Sequence, residues 1–129
     1  MNVVDSCGWL EYFADGPNAG FFAAPIEDTK NLLVPVICVF EVFKRIHQQR
    51  GEDAALQATA LMHQGEIVAL DDASVLHAAK CSLDQGLPMA DSIILSVALS
   101  RHATLWTQDK DFEKVESVRY IEKKDKGGT

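Results

Sequence analysis

The stretch Asn31–Ile46, NLLVPVICVFEVFKRI, decides the fold because it predicts a buried strand that runs directly into an amphipathic helix. Its first residues, NLLVP, are an apolar run without polar alternation, which is typical of a strand covered on both faces of a parallel sheet. Pro35 is predicted as the first residue of the helix, and apolar residues then recur at helical spacing. Glu41 is out of place in this segment, since a buried ionised carboxylate is costly unless something compensates it.

The rest of the chain repeats this alternation. Further strands are predicted at NVV, GEIVAL, ATLWT and VRYI, with helices between them. One of these helices, residues 73–85, is predicted to end at Gly86. Strands that alternate with helices predict an α/β fold, a five-stranded mainly parallel sheet with helices on both faces. The 129 residues suit a single domain, which we predict to span residues 1–121 and to be followed by a polar tail at residues 122–129.

The composition argues against several classes of protein. The longest uncharged apolar run, Leu32–Phe40, is much shorter than the roughly 20 residues of a membrane-spanning helix. The N-terminus lacks the pattern of a signal peptide. The three cysteines, Cys7, Cys38 and Cys81, show no CxxC spacing and are predicted to be small buried hydrophobes. We therefore expect a cytoplasmic protein that has no membrane segment, disulfide framework or zinc site. The net charge of −7 disfavours a basic nucleic-acid groove unless a divalent cation supplies positive charge.

Four acidic residues occur where a parallel sheet would bring them together. Asp5 and Asp109 follow the first and fourth predicted strands, whereas Asp91 and Glu41 lie in the first two turns of predicted helices. Active sites of such sheets form outside the carboxyl ends of the strands, where the following helices begin. We therefore expect all four carboxylates to surround one pocket.

A shared divalent cation would explain why these acids are kept together. Neighbouring carboxylates repel one another, and a cation removes that penalty. A ligand set made only of oxygens selects Mg²⁺ or Mn²⁺. Such an ion polarises a phosphoryl oxygen and activates water near neutral pH, which suits hydrolysis of a phosphodiester.

Each acid also has a simpler explanation when it is considered alone. Asp5 and Asp109 are suitable cap residues, and Asp91 is favoured in the first turn by the helix dipole. Glu41 is spaced for an ion pair with Lys44 or Arg45 on the same helix. It is the joint placement of the four residues that favours a single site.

The sequence resembles the PIN-domain nucleases in four segments that occur in the family's order: VVDSCGWLEYF, VFEVFKR, MADSIILSVAL and LWTQDKDFEKV. The short layout is similar to that of VapC-type ribonuclease toxins, and the resemblance extends to about Ile121. It implies an Mg²⁺- or Mn²⁺-dependent endoribonuclease. The residues that match the family's site are Asp5, Glu41 and Asp91 as core acids, Asp109 or Asp111 as the fourth, and Ser6 and Thr107 as supporting hydroxyl groups.

The resemblance also implies partners: an RNA substrate, a second copy in a homodimer, and a cognate antitoxin whose C-terminal segment occupies the active-site groove. Candidate contacts to RNA phosphates are Lys44, Arg45, Arg50, Arg101 and Lys110, although a solvated surface explains them equally well. Two other functions remain open. One is a non-catalytic interaction module on the same scaffold, and the other is a phosphoacceptor receiver domain that uses Asp71 and Asp72.

Overall fold

The computed structural model describes residues 1–125, which form five strands and six α-helices. The strands are β1 (Asn2–Val4), β2 (Leu32–Pro35), β3 (Glu66–Val68), β4 (Thr104–Thr107) and β5 (Val118–Tyr120). The helices are α1 (Ser6–Phe13), α2 (Ala19–Glu27), α3 (Val36–Arg50), α4 (Glu52–Met62), α5 (Asp72–Gln85) and α6 (Met89–Ser100). Every predicted strand and helix is present, while residues 126–129 of the predicted tail lie outside the described residues.

All five strands are parallel and lie in the order β3-β2-β1-β4-β5. The central strand β1 pairs with β2 on one side and with β4 on the other. The chain first builds the sheet outward through β2 and β3 and then returns to place β4 on the opposite side of β1. The strand order therefore reverses between β1 and β4, which is where ligands bind in open parallel sheets. The predicted α/β class is confirmed.

Helices cover the sheet because its strands are apolar on both sides. Val3, Val4, Leu33, Val34 and Leu105 are fully buried, although they are consecutive or nearly so along their strands. Helix α2 contacts β1, while α6 contacts β1, β2 and β4. Parallel crossovers are right-handed, so the return to β4 carries α5 and α6 to the face opposite α1–α4.

The helix that was predicted to begin at Pro35 begins one residue later. Pro35 is the last residue of β2, where it pairs with Val68 of β3. Its φ of −58° fits a helix, but its ψ of 136° is extended. Proline fixes only φ, so the residue ends the strand and immediately precedes α3.

The end of α5 matches its prediction. Gly86 lies directly after this helix in the left-handed conformation, with φ of 68° and ψ of 33°. Its N–H bonds the carbonyl of Ser82 and thereby satisfies one of the last free carbonyl groups of the helix. No helix within residues 1–125 is long and apolar enough to cross a membrane.

Candidate active site

Three carboxylates meet at the reversal point of the sheet. Asp5 follows β1, Asp109 lies two residues past β4, and Asp91 lies in the first turn of α6. Each offers one oxygen, and these three oxygens lie within 4.8 Å of one another. The expectation that Asp5, Asp91 and Asp109 share a pocket agrees with this geometry.

The Asp5 carboxylate is buried and held by three donors. Its Oδ1 accepts a hydrogen bond of 2.8 Å from the backbone N–H of Ser6, which makes Asp5 the N-cap of α1. Its Oδ2 accepts a bond of 2.7 Å from the Thr107 hydroxyl and one of 3.3 Å from the Cys7 thiol. Asp5 is therefore both a cap residue and a member of the carboxylate cluster, so the two explanations do not exclude each other.

Asp109 also combines a local role with a place in the cluster. Its Oδ1 accepts a bond of 2.9 Å from the N–H of Asp111 and so caps the short 3-10 turn Lys110–Phe112. Its own N–H donates a bond of 2.9 Å to Oγ1 of Thr107. The turn that begins at Asp109 thus fixes its side chain beside Asp5.

Burial and mutual repulsion raise the pKa values of two of the clustered carboxylates. Burial raises the pKa of Asp5 to about 6, with a further contribution from the charge of Asp109. The pKa of Asp91 rises to about 8, first because of burial and then because of the neighbouring charges of Asp109, Asp5 and Asp111. Within residues 1–125 the one ion pair joins Arg101 to Glu66, at the opposite edge of the sheet, so no basic side chain neutralises the cluster.

The donor set fits a hard divalent cation. Ligand atoms bound at roughly 2.0–2.6 Å from one ion are separated by distances similar to those among these three oxygens. Carboxylate oxygens suit Mg²⁺ or Mn²⁺, and a cation would offset the repulsion that raises both pKa values.

Glu41 stands beside this cluster rather than within it. It is half-buried in the second turn of α3, and its Oε1 accepts a hydrogen bond of 2.6 Å from the Ser6 hydroxyl. Ser6 therefore links Glu41 to Asp5 through its side chain and its backbone N–H. The ion pair found within residues 1–125 is Arg101–Glu66, so the helix-spaced pair of Glu41 with Lys44 or Arg45 is not formed.

Asp111 and Thr107 take different positions. The exposed Asp111 lies near Asp91 and helps to raise its pKa, but it is outside the three-oxygen group. The fully buried Thr107 hydrogen-bonds both Asp5 and Asp109 and so holds these two residues in place.

Cys7 is the site neighbour that the sequence reasoning missed. Its Sγ lies 3.3 Å from Oδ2 of Asp5 and 3.4 Å from Oγ1 of Thr107. Burial and the adjacent Asp5 charge raise the pKa of the thiol well above its usual range, so it acts as a neutral hydrogen-bond donor. Its place in the first turn after Asp5 was the available signal. Cys38 and Cys81 are buried, as expected, and all three cysteines are free.

Known structures share this fold along nearly the whole chain. A toxin–antitoxin complex from Klebsiella pneumoniae is 19% identical, with a TM-score of 0.76 over 92% of this chain and 95% of the other. The sarcin–ricin-loop-cleaving toxin VapC20 of Mycobacterium tuberculosis is 13% identical, with a TM-score of 0.76 over 92% and 98%. DNA-bound VapBC from Salmonella typhimurium is 13% identical, with a TM-score of 0.73 over 95% and 97%.

The sequence itself identifies the family. No curated protein matches it significantly. The profile of the PIN domain, in contrast, matches residues 3–118, which include most of β1, all of β4 and all three clustered aspartates. The chain therefore belongs to the PIN-domain family, as its resemblance to these proteins predicted.

Proposed function

We propose that this protein is a divalent-metal-dependent endoribonuclease and the toxin of a toxin–antitoxin pair. The observation that carries the proposal is the cluster of Asp5, Asp91 and Asp109, whose oxygens lie within 4.8 Å of one another and form no ion pair with a basic side chain of residues 1–125. Uncompensated carboxylates at a ligand-binding edge destabilise the fold, so their retention favours a metal site over a structural role.

In this proposal Asp5, Asp91 and Asp109 hold the cation, with Asp111 beside them. Bound Mg²⁺ or Mn²⁺ would polarise the phosphoryl oxygen and activate water near neutral pH. Thr107, Ser6 and Cys7 keep Asp5 in one orientation through their hydrogen bonds.

In this proposal Glu41 either contacts the ion through water or orients the attacking water and accepts its proton. The water oxygen forms the new bond to phosphorus, the bond from phosphorus to the 3′ oxygen breaks, and that oxygen is protonated. The products are a 5′-phosphate and a 3′-hydroxyl.

The test is Asp91→Asn, with Asp53→Asn as a matched control. Asp91 makes no cap bond, so the amide should leave the fold intact, and Asp53 is an exposed first-turn residue of another helix. Purified proteins are incubated with a labelled RNA hairpin and Mg²⁺ or Mn²⁺, with EDTA as the blank. We expect Asp91→Asn to lower the cleavage rate by at least about 100-fold, more than loss of an outer contact to a metal ligand costs. Wild-type cleavage in EDTA, or undiminished cleavage by Asp91→Asn, would contradict the proposal.

The similar proteins support the proposed substrate and partners. One of them cleaves the sarcin–ricin loop, which supports RNA as the substrate, and others are toxin–antitoxin complexes, which support a cognate antitoxin. Exposed apolar side chains support protein partners, either an antitoxin or a second copy in a homodimer. Several of them lie on α5 and at the start of α6: Val75, Leu76, Leu83 and Met89. We place this activity in the cytoplasm, where RNA is abundant and three free cysteines would stay reduced.

The two rival functions fare differently. A receiver domain has the strand order 2-1-3-4-5, whereas here β2 separates β3 from β1, and Asp71 caps α5 through Ser74. That arrangement argues against a phosphoacceptor at Asp71. A non-catalytic module would bind no metal, so calorimetry with Mn²⁺ decides between it and the nuclease.

A further inference from the structure

Two adjoining cavities open beside the acidic cluster. The larger, of about 420 Å³, includes Asp109, Lys110 and Tyr120 in its wall. The smaller, of about 250 Å³, lies between α1 and α3 and includes Arg45 and Arg50. Cys7, Gln108 and Lys123 line both cavities, so the two form one depression that begins at the thiol contacting Asp5.

The basic side chains of this depression are not engaged by acids. No ion pair within residues 1–125 involves Arg45, Arg50 or Lys123. The acid that lines the smaller cavity is Glu11, and its carboxylate is already bound. It accepts a bond of 2.7 Å from the N–H of Asn18 and a longer one of 3.4 Å from the Gln108 amide.

Lys123 belongs to the segment that the sequence predicted as a tail, yet its backbone neighbour is tied to the domain. The Asn18 amide donates bonds of 3.0 Å to the carbonyl of Glu122 and 2.9 Å to Oε1 of Gln108. Asn18 is only 1% exposed, so this is a buried connection and not a surface contact. It fixes the chain one residue before Lys123 and brings that lysine to the rim of the cavities.

We propose that Arg45, Arg50 and Lys123, here called the basic groove, bind backbone phosphates of the RNA strand next to the phosphate that is cut. The inference rests on the proposed function and adds the residues that hold its substrate. A chain with a net charge of −7 repels RNA, and its carboxylate cluster does so most strongly at the point of cleavage. The cations of the basic groove offset this repulsion for the RNA on either side of the phosphate that is cut.

The structure separates these residues from the other candidate cations. Lys44 lies over the ring of Phe40, 5.9 Å from its centroid, and lines neither cavity. Arg101 pairs with Glu66 at the far edge of the sheet. Lys110 lines the larger cavity next to Asp109, so it is the next candidate for a contact with an RNA phosphate.

The experiment compares Arg45→Ala and Lys123→Ala with two neighbouring controls, Lys44→Ala and Lys124→Ala. All four side chains are exposed, so folding should be unaffected. Binding of a fluorescein-labelled single-stranded RNA to the full chain is measured by anisotropy, with Ca²⁺ in place of Mg²⁺ and over a range of salt concentrations. Cleavage of the same RNA is measured with Mg²⁺ and Mn²⁺, and Mn²⁺ binding is measured by calorimetry.

We expect each groove variant to bind RNA roughly five- to tenfold more weakly, because a charge-assisted hydrogen bond to phosphate is lost. The slope of log K against log salt should fall by about 0.7 for each contact removed, whereas Mn²⁺ affinity should not change. The controls should bind within about twofold of wild type, since neither side chain lines the cavities and a charge without a phosphate contact is largely screened.

Two results would overturn the groove: wild-type affinity and salt slope in both groove variants, or equal losses in the controls. A deca-glutamate peptide that displaces RNA as well as unlabelled RNA does would also overturn it, because the groove would then recognise acidic peptides. A different result would contradict the proposed function. If RNA binds through the groove but is not cut with Mg²⁺ or Mn²⁺, the nuclease proposal fails and the groove proposal stands. If the wild type cleaves RNA and the groove variants bind and cleave it equally well, the groove proposal fails and the nuclease proposal stands.

Discussion

The hydroxyl of Thr107 donates a hydrogen bond of 2.7 Å to Oδ2 of Asp5. The Oγ1 atom of Thr107 also accepts a bond of 2.9 Å from the N–H of Asp109. One fully buried atom at the end of β4 therefore sets the positions of two carboxylates that lie far apart in the sequence. Since β1 and β4 are neighbours only through the reversal of strand order, the fold itself brings this contact about.

We predict that Thr107→Val weakens Mn²⁺ binding by about 10- to 100-fold, the usual cost of losing an outer partner of a metal ligand. Valine keeps the shape of threonine but removes both hydrogen bonds, so Asp5 loses a donor and the Asp109 N–H loses its acceptor. The free energy of unfolding should fall by about 1–3 kcal/mol. Calorimetry with Mn²⁺ and chemical denaturation measure the two effects.

Thr107→Ser is the control, because serine retains the hydroxyl and loses only a methyl group. It should restore most of the Mn²⁺ affinity while leaving a small packing defect. Equal Mn²⁺ affinity in the valine variant and wild type would show that this hydroxyl does not position the cluster.

The stability of the metal-free protein should depend on pH. The folded-state pKa values of Asp5 and Asp91 are about 6 and about 8, above the ordinary value of 3.8. The folded chain therefore binds more protons than the unfolded chain across this range, and stability falls as pH rises. For Asp5 alone the loss between pH 4 and 8 is at most about 3 kcal/mol. We expect the Tm in EDTA to fall from pH 5 to pH 8.

Two controls connect that decline to the carboxylate cluster. Saturating Mn²⁺ should remove most of it, because a bound cation stabilises the ionised carboxylates. Asp91→Asn should reduce the fall of Tm at the higher pH values, since the carboxyl group with the higher pKa is gone. A Tm in EDTA that is constant or rises over this range would mean that the carboxylates are not crowded in solution.

Glu41 should affect the reaction more than metal binding. Its oxygen is outside the group formed by the three aspartates and is held instead by Ser6. We predict that Glu41→Gln lowers the rate of RNA cleavage by about 10²–10⁴-fold, the range for loss of a general base. The Kd for Mn²⁺ should change by no more than about tenfold, the lower end of the cost of losing an outer partner, because no ligand in direct contact with the ion is removed. A loss of Mn²⁺ affinity as large as that of Asp91→Asn would instead make Glu41 a metal ligand.

The sequence predicted this fold well because its signals are local. Apolar runs such as NLLVP, helical spacing after Pro35 and the end of α5 at Gly86 each depend on a few neighbouring residues. Even the one-residue error at Pro35 is of this kind, since proline restricts φ in the same way at the end of a strand and at the start of a helix.

The site was predictable only in part. Asp5 and Asp109 could be found because each lies within two residues of the end of a strand, whereas the strand order that makes them neighbours has no local signal. Cys7 looked like a small buried hydrophobe because its contact with Thr107 spans 100 residues. The bond from Asn18 to Glu122, which joins the predicted tail to the domain, spans 104 residues and likewise could not be predicted from the sequence.

The two helical glycines Gly8 and Gly20 should respond oppositely to alanine. A Cβ at Gly8 would lie 2.6 Å from the ring of the fully buried Phe22 and 2.7 Å from Val4, which precedes Asp5. We predict that Gly8→Ala destabilises the fold by about 1–3 kcal/mol through overpacking and also weakens Mn²⁺ binding. A Cβ at Gly20 meets nothing within 4 Å, so Gly20→Ala should stabilise by about 0.5–1 kcal/mol. Denaturation of both variants measures the difference, and a Gly8→Ala protein as stable as wild type would contradict the close packing of α1 against α2.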